Sequence, residues 1–144
     1  CFKAYQQGLK IIGLNDVLHF WRDYPERTSR NDPNYADNRF LEMKVRYFLA
    51  CDYDSANTLV VWGAGKKGKH IAKLLIEQDV AFEWITNNPQ KLRAPIYGIS
   101  LRNQSDLKQM HNCQVIIAIA QKETASEIEK ELDYLKSVKV YPFC

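Results

Sequence analysis

The chain has 144 residues and a mass of 16.8 kDa, the size of one domain or of one domain with an appendage. Apolar residues at 46% and charged residues at 26% allow a sizeable core and exclude wholesale disorder. No apolar run reaches the roughly 18–20 residues that span a bilayer, and a net charge of +3 is too small to argue for nucleic acid. The start, Cys1-Phe2-Lys3-Ala4-Tyr5, has neither an initiator Met nor a signal-peptide pattern, so a piece of a longer protein is expected. The four cysteines form no CxxC pair, and free thiols in a reducing cytoplasm are the expectation.

The first 58 residues read as a mainly helical or irregular extension. Asp16 to Trp21 suggests a strand or the end of one, and Phe20, Trp21 and Tyr24 read as core aromatics. Tyr24 to Tyr35 is polar and turn-rich, with Pro25 and Asn31-Asp32-Pro33. Asp37 or Asn38 is placed to cap a helix running to about Leu49, with Leu41, Val45 and Phe48 in line. The Asp52-Tyr53-Asp54 triplet has the form of a metal-binding DxD, but its polar setting between a helix and a strand makes it an ordinary loop.

From Leu59 to Cys144 apolar runs alternate with helical periodicity, the pattern of a parallel α/β unit. Leu59 to Trp62 is apolar throughout and predicts a strand covered on both faces. After a glycine-rich turn, a helix to about Gln78 presents Ile71, Leu74 and Leu75 to the sheet. Val80 to Ile85 reads as the second strand, closed by Asn87-Asn88-Pro89, and Ile99 to Leu101 as a short edge strand. Ser105 is expected to cap a brief helix through Met110. Gln114 to Ala120 predicts a buried strand, Lys122 to Lys136 an amphipathic helix, and Val138 to Tyr141 the last strand. With right-handed crossovers, these five strands form a Rossmann-like, doubly wound parallel sheet of order 3-2-1-4-5.

Gly63-Ala64-Gly65-Lys66-Lys67-Gly68 is the motif that carries chemistry. It follows a buried strand and opens a helix, the context in which G-x-G-x-x-G is informative. Gly63 permits the tight turn, Gly65 lets backbone approach a phosphate, and Gly68 lets the helix lie close to the strand. Free N–H groups at the helix start favour an anion, and Lys66 and Lys67 add charge there. The alternative is a turn that only packs helix on strand. The acid expected at the end of the second strand for the ribose of NAD is missing: the chain reads Thr86-Asn87-Asn88, and Glu83 comes too early. Thr86, Asn87 and Asn88 remain as neutral ribose contacts with no strong preference between NAD and NADP. His19, His70 and His111 lack metal-ligand spacing, and Ser29 and Ser100 lack a nucleophile elbow. No catalytic or metal residue is assigned.

Several segments resemble a known family. His19 to Arg30 (HFWRDYPERTSR), with Tyr35 and Phe40-Leu41-Glu42-Met43-Lys44, resembles the segment closing the GT-A catalytic domain in some bacterial family 2 glycosyltransferases. Val61 to Gly68, Asn88-Pro89-Gln90-Lys91 and Phe143-Cys144 resemble the accessory domain that follows it, which also looks like the nucleotide-sugar-binding half of some sugar acetyltransferases. The resemblance covers most of the chain. It implies a parent that uses a nucleotide-activated sugar, with the catalytic machinery upstream of Cys1. It also implies Arg22, Arg27 and Arg30 as donor-phosphate contacts, since a guanidinium grips phosphate with two parallel bonds; bracing of the polar segment is the alternative.

Three functions stay open. The first is a non-catalytic accessory domain, residues 59–144, that binds a nucleotide, a nucleotide sugar or another phosphate group. Its expected partner is the upstream transferase domain, and nucleic acid is not expected. The second is an NAD(P)-binding oxidoreductase or redox-sensing domain. The third is a structural or interaction module.

Overall fold

A computed structural model describes residues 2–10, 12–20, 22, 24–27, 39–119 and 138–143. The chain divides into two compact units, Cys1–Asp52 and Tyr53–Cys144.

In the first unit, α1 (Phe2–Gln6) is a short helix that the sequence pattern did not announce. The Phe2 and Tyr47 rings stack at 4.7 Å, and the Tyr5 hydroxyl donates to Asp52 at 2.6 Å. α2 (Arg39–Cys51) carries the expected apolar stripe, with Leu41, Val45 and Phe48 buried. Its expected caps, Asp37 and Asn38, lie outside the described residues. The strand expected over Asp16–Trp21 is not there: residues 16–20 form no ladder. The aromatic reading fails with it, because Phe20 is 89% exposed and Tyr24 about half exposed, at 48%. An apolar run forms a strand only when a partner takes up its backbone N–H and C=O groups, and none is present among the described residues.

The second unit is built on β1 (Thr58–Trp62), α3 (Lys66–Glu77), β2 (Glu83–Thr86), β3 (Arg102–Asn103), β4 (Cys113–Ile117) and β5 (Val138–Pro142). The five strands are parallel, in the order β3-β2-β1-β4-β5. The expected Rossmann-like α/β sheet is therefore present. β1 lies at its centre, in register with β2 through Trp62 opposite Ile85 and with β4 through Trp62 opposite Ile117. Leu59 to Trp62 are all buried, as a central parallel strand requires.

One face of the sheet gathers Val60, Trp62, Ile85, Cys113, Val115 and Ile117 with Leu107 into a core cluster. The alternate positions, among them Leu59, Val61 and Ile116, are directed to the other face. α3 packs against β1, burying Gly68, Ile71, Ala72 and Leu75, with Leu74 only half-buried. Gln114 is wholly buried, and its amide is satisfied at both ends. Oε1 accepts the Asp54 N–H at 2.8 Å, and Nε2 donates to the Tyr141 hydroxyl at 3.2 Å. Buried polar groups persist where they find such partners.

Several expected boundaries move, each for a local reason. β2 begins at Glu83 rather than Val80, because the chain between them is used to end α3. Asp79 adopts the left-handed conformation (φ 55°), while the Val80 N–H reaches back to the Leu75 carbonyl and the Asp79 N–H to Ile76. This closing motif consumes donors that a longer strand needs. β3 is Arg102–Asn103 rather than Ile99–Leu101. Ile99 is instead tied to Ile96 across a two-residue turn in which Tyr97 and Gly98 both have positive φ. The brief helix is a 3-10 helix, Gln104–Gln109, capped by Asn103 rather than Ser105: the Asn103 side chain accepts the Ser105 N–H at 3.0 Å. β4 covers Cys113–Ile117 rather than Gln114–Ala120, and the expected helix over Lys122–Lys136 lies outside the described residues. No helix among the described residues is long and apolar enough to cross a membrane.

Candidate functional site: the glycine turn between strand one and its helix

The turn joins β1 to α3 at the carboxyl edge of the sheet, beside the point where the strand order reverses from β1 to β4. In open α/β sheets that edge is where ligands bind. Backbone bonds fix the turn on both sides. The Gly63 N–H donates to the Ile85 carbonyl at 3.0 Å, and the Ala118 N–H donates to the Trp62 carbonyl at 2.8 Å.

The three glycines do three different things. Gly63 has φ 115°, a conformation that side chains rarely tolerate, and a Cβ there would press on the Ala118 carbonyl oxygen at 3.1 Å. Gly68 is required by contact: its Cβ would fall 1.9 Å from the Gly63 carbonyl oxygen. That same oxygen accepts the buried Trp84 indole N–H at 2.9 Å, so β1, β2 and α3 meet at one atom. Gly65 is different. Its φ is −76°, which any residue adopts, and a Cβ would meet nothing within 4 Å. Packing explains Gly63 and Gly68; it does not explain Gly65.

Gly65 is also the N-cap of α3 and supplies no side-chain cap, so the first N–H groups of the helix are left to other acceptors. Charge points the same way. The first turn of α3 carries no acid, and Lys66, Lys67, Lys69 and Lys73 crowd its first two turns. Cations at the positive end of a helix are disfavoured by about 0.3–1 kcal/mol each. An anion seated at the turn would reverse that penalty and accept the free N–H groups. Lys66 is exposed, Lys67 half-buried, and Ala64 buried beneath the turn.

The end of β2 forms the neighbouring wall. Thr86 is buried, and its hydroxyl accepts the Asn88 N–H at 3.2 Å. Asn87 and Asn88 are exposed, and the Asn88 side chain accepts the Gln90 N–H at 3.0 Å. Glu83 stands at the start of β2, in contact with Arg102 at 3.3 Å, about 10 Å of strand away from the turn. One residue was overlooked in the pattern of side chains. The half-buried Lys91 ammonium donates to the Ala64 carbonyl, in the middle of the glycine turn. The Asn88-Pro89-Gln90-Lys91 segment was visible in the sequence, but its reach across 27 residues was not.

The remaining candidates lie elsewhere. Arg22 is exposed and Arg27 half-buried in the first unit, and Arg30 lies outside the described residues. Asp54 is a turn-former, its carboxylate accepting the Ala56 N–H at 3.0 Å and the Asn57 amide at 2.8 Å. Among the described residues no group of three His, Cys, Asp or Glu side chains is placed to hold a metal ion.

No protein-family model matches the chain, and a search of curated proteins finds no significant match. Among solved structures the chain is similar to UDP-D-quinovosamine 4-dehydrogenase from Vibrio fischeri, at 14% identity and a TM-score of 0.49, over 61% of this chain and 78% of that one. It is also similar to RSP, a Rex-family repressor, at 15% identity and a TM-score of 0.52, over 72% of this chain. The chain spans about half of the repressor's length (53%). At such identities the likeness concerns the fold alone, and that fold is the Rossmann-like sheet.

Proposed function

We propose that the second unit is a nucleotide-binding accessory module, not catalytic by itself, that holds the phosphate of a nucleotide or nucleotide sugar at Gly63 to Gly68. The observation that carries this reading is the open space at Gly65. A glycine with an ordinary φ and no neighbour to accommodate serves the fold in no visible way, whereas a phosphate on the backbone needs that space. Lys66 and Lys67 supply charge, and Asn87 and Asn88 lie on the ribose side. The parent in this reading is a family 2 glycosyltransferase, supported by the resemblance of residues 19–44 to the end of a GT-A domain. Arg22, Arg27 and Arg30 would then serve the donor of that upstream domain.

A second reading, an NAD(P)-binding oxidoreductase or redox-sensing domain, uses the same turn. Its support is the G-x-G-x-x-G spacing at the central β1–α3 junction; against it stands the neutral end of β2, where a ribose acid is expected. Calorimetric titration of the chain with UDP, a UDP-sugar, NAD and NADP separates them. UDP compounds binding at least as tightly as the dinucleotides supports the accessory reading, and tight NAD binding alone supports the redox one. Gly65→Val should abolish binding while far-ultraviolet circular dichroism stays unchanged. Failure of every nucleotide to bind the wild-type chain would leave the glycine turn as a packing device.

A further inference from the structure

We propose that Lys91 sets the ligand class of this site, selecting a nucleotide whose ribose carries a phosphate over one whose ribose hydroxyls are free. The inference rests on the phosphate reading of the glycine turn given above. Lys91 comes from the loop that follows β2, and its ammonium is seated on the Ala64 carbonyl between Gly63 and Gly65. The peptide joining Ala64 to Gly65 is trans, so its C=O and N–H point in opposite directions. Lys91 therefore occupies one side of that peptide, and a phosphate accepting the Gly65 N–H occupies the other. The Lys91 side is the side of β2, to which the turn is tied by the Gly63–Ile85 bond.

In sheets of this order the ribose lies against the end of β2. An acid there holds ribose hydroxyls, whereas a cation accommodates a ribose phosphate. The loop from Asn87 to Arg93 contains no carboxylate and two cations, Lys91 and Arg93. Two of its oxygen acceptors are already engaged, because Thr86 and Asn88 each take a backbone N–H of the loop itself. What the loop offers is donors. An ammonium has three, and the Ala64 carbonyl takes one, leaving two for the ligand. A phosphomonoester accepts both with full charge assistance, and a hydroxyl does not.

Calorimetry on the chain with two matched pairs tests this: NADP against NAD, and 3′-phosphoadenosine 5′-phosphate against AMP, with UDP as reference. The expected result is a preference of about tenfold or more for the phosphorylated member of at least one pair, the scale of one charge-assisted bond. Lys91→Met should reduce that preference to within about twofold and leave UDP affinity within about twofold, while Lys91→Arg should keep it. Equal affinities within both pairs, a preference that survives Lys91→Met, or binding of UDP alone would each overturn the role of Lys91. If UDP binding is still lost in Gly65→Val, the phosphate reading stands without it. Absence of binding by every probe removes both.

Discussion

Gly68→Ala is the sharpest test of how this unit is held together. The added Cβ would lie 1.9 Å from the Gly63 carbonyl oxygen and 2.8 Å from its carbon, both backbone atoms that cannot rotate away. Ordinary contact for a Cβ begins near 3.4 Å, so the first turn of α3 must withdraw from β1 by roughly 1.5 Å. Overpacking of that size costs about 1–3 kcal/mol. The withdrawal also disturbs the oxygen that accepts the Trp84 indole N–H, and a buried donor left unsatisfied adds about 1–3 kcal/mol. Against this stands the better helix propensity of alanine, worth about 1 kcal/mol. The contact terms win, and the net loss should be about 2–4 kcal/mol. Urea unfolding followed by tryptophan fluorescence reads it, since Trp62 and Trp84 are both buried in this unit. With a slope of about 2 kcal/mol per molar urea, the midpoint should fall by about 1–2 M. Gly65→Ala, at an open position, should lose less than about 1 kcal/mol. A Gly68→Ala midpoint equal to wild type, or a Gly65→Ala loss as large as that of Gly68→Ala, would refute the packing argument.

Two further outcomes follow from the charge and burial of single groups. Lys66→Glu places an acid in the first turn of α3, so the free protein should gain about 0.3–1 kcal/mol while nucleotide affinity falls, measured by urea titration and calorimetry together. Cys113 is buried in the core cluster, and desolvation raises its thiol above the ordinary range. The unfolded chain therefore releases this proton first, and stability declines as pH rises past about 8.5. Cys113→Val should make the alkaline decline shallower than in wild type, and an unchanged slope would exclude this thiol as its source.

The sheet was legible because its signals are local. Four apolar residues in a row at Leu59–Trp62, and a glycine turn placed where a strand meets a helix, identify β1 and α3 without any knowledge of partners. Strand order then follows from the handedness of the crossovers. The shifts arose where backbone donors had another use. Val80 is as strand-like as Val60 by composition, but its N–H closes α3. Phe20 shows the converse: an aromatic in an apolar run is read as core, yet burial depends on what covers it, which composition does not encode. At the site, the roles of Gly63 and Gly68 could be read from spacing. Lys91 could not, because nothing in its own segment marks a contact with Ala64.

The case for a ligand at the turn comes from two departures from local rules that fall on adjacent residues. At Gly65 the chain keeps a residue with the largest conformational entropy to lose, although no φ and no neighbour demands it. Beside it, Lys66 and Lys67 oppose the field of the helix they begin, where an acid would stabilise it. Each departure is worth on the order of 0.5–1 kcal/mol, small against the core but without return in the free protein. A single anion answers both, since it needs the vacancy in front of Gly65 and is attracted by the lysines. Consistency between local preference and structure is the rule in folded chains, and sites of function are where it breaks. The same logic assigns Gly63 and Gly68 to the fold, because there the local cost is offset by a turn and a close helix–strand contact that no other residue permits.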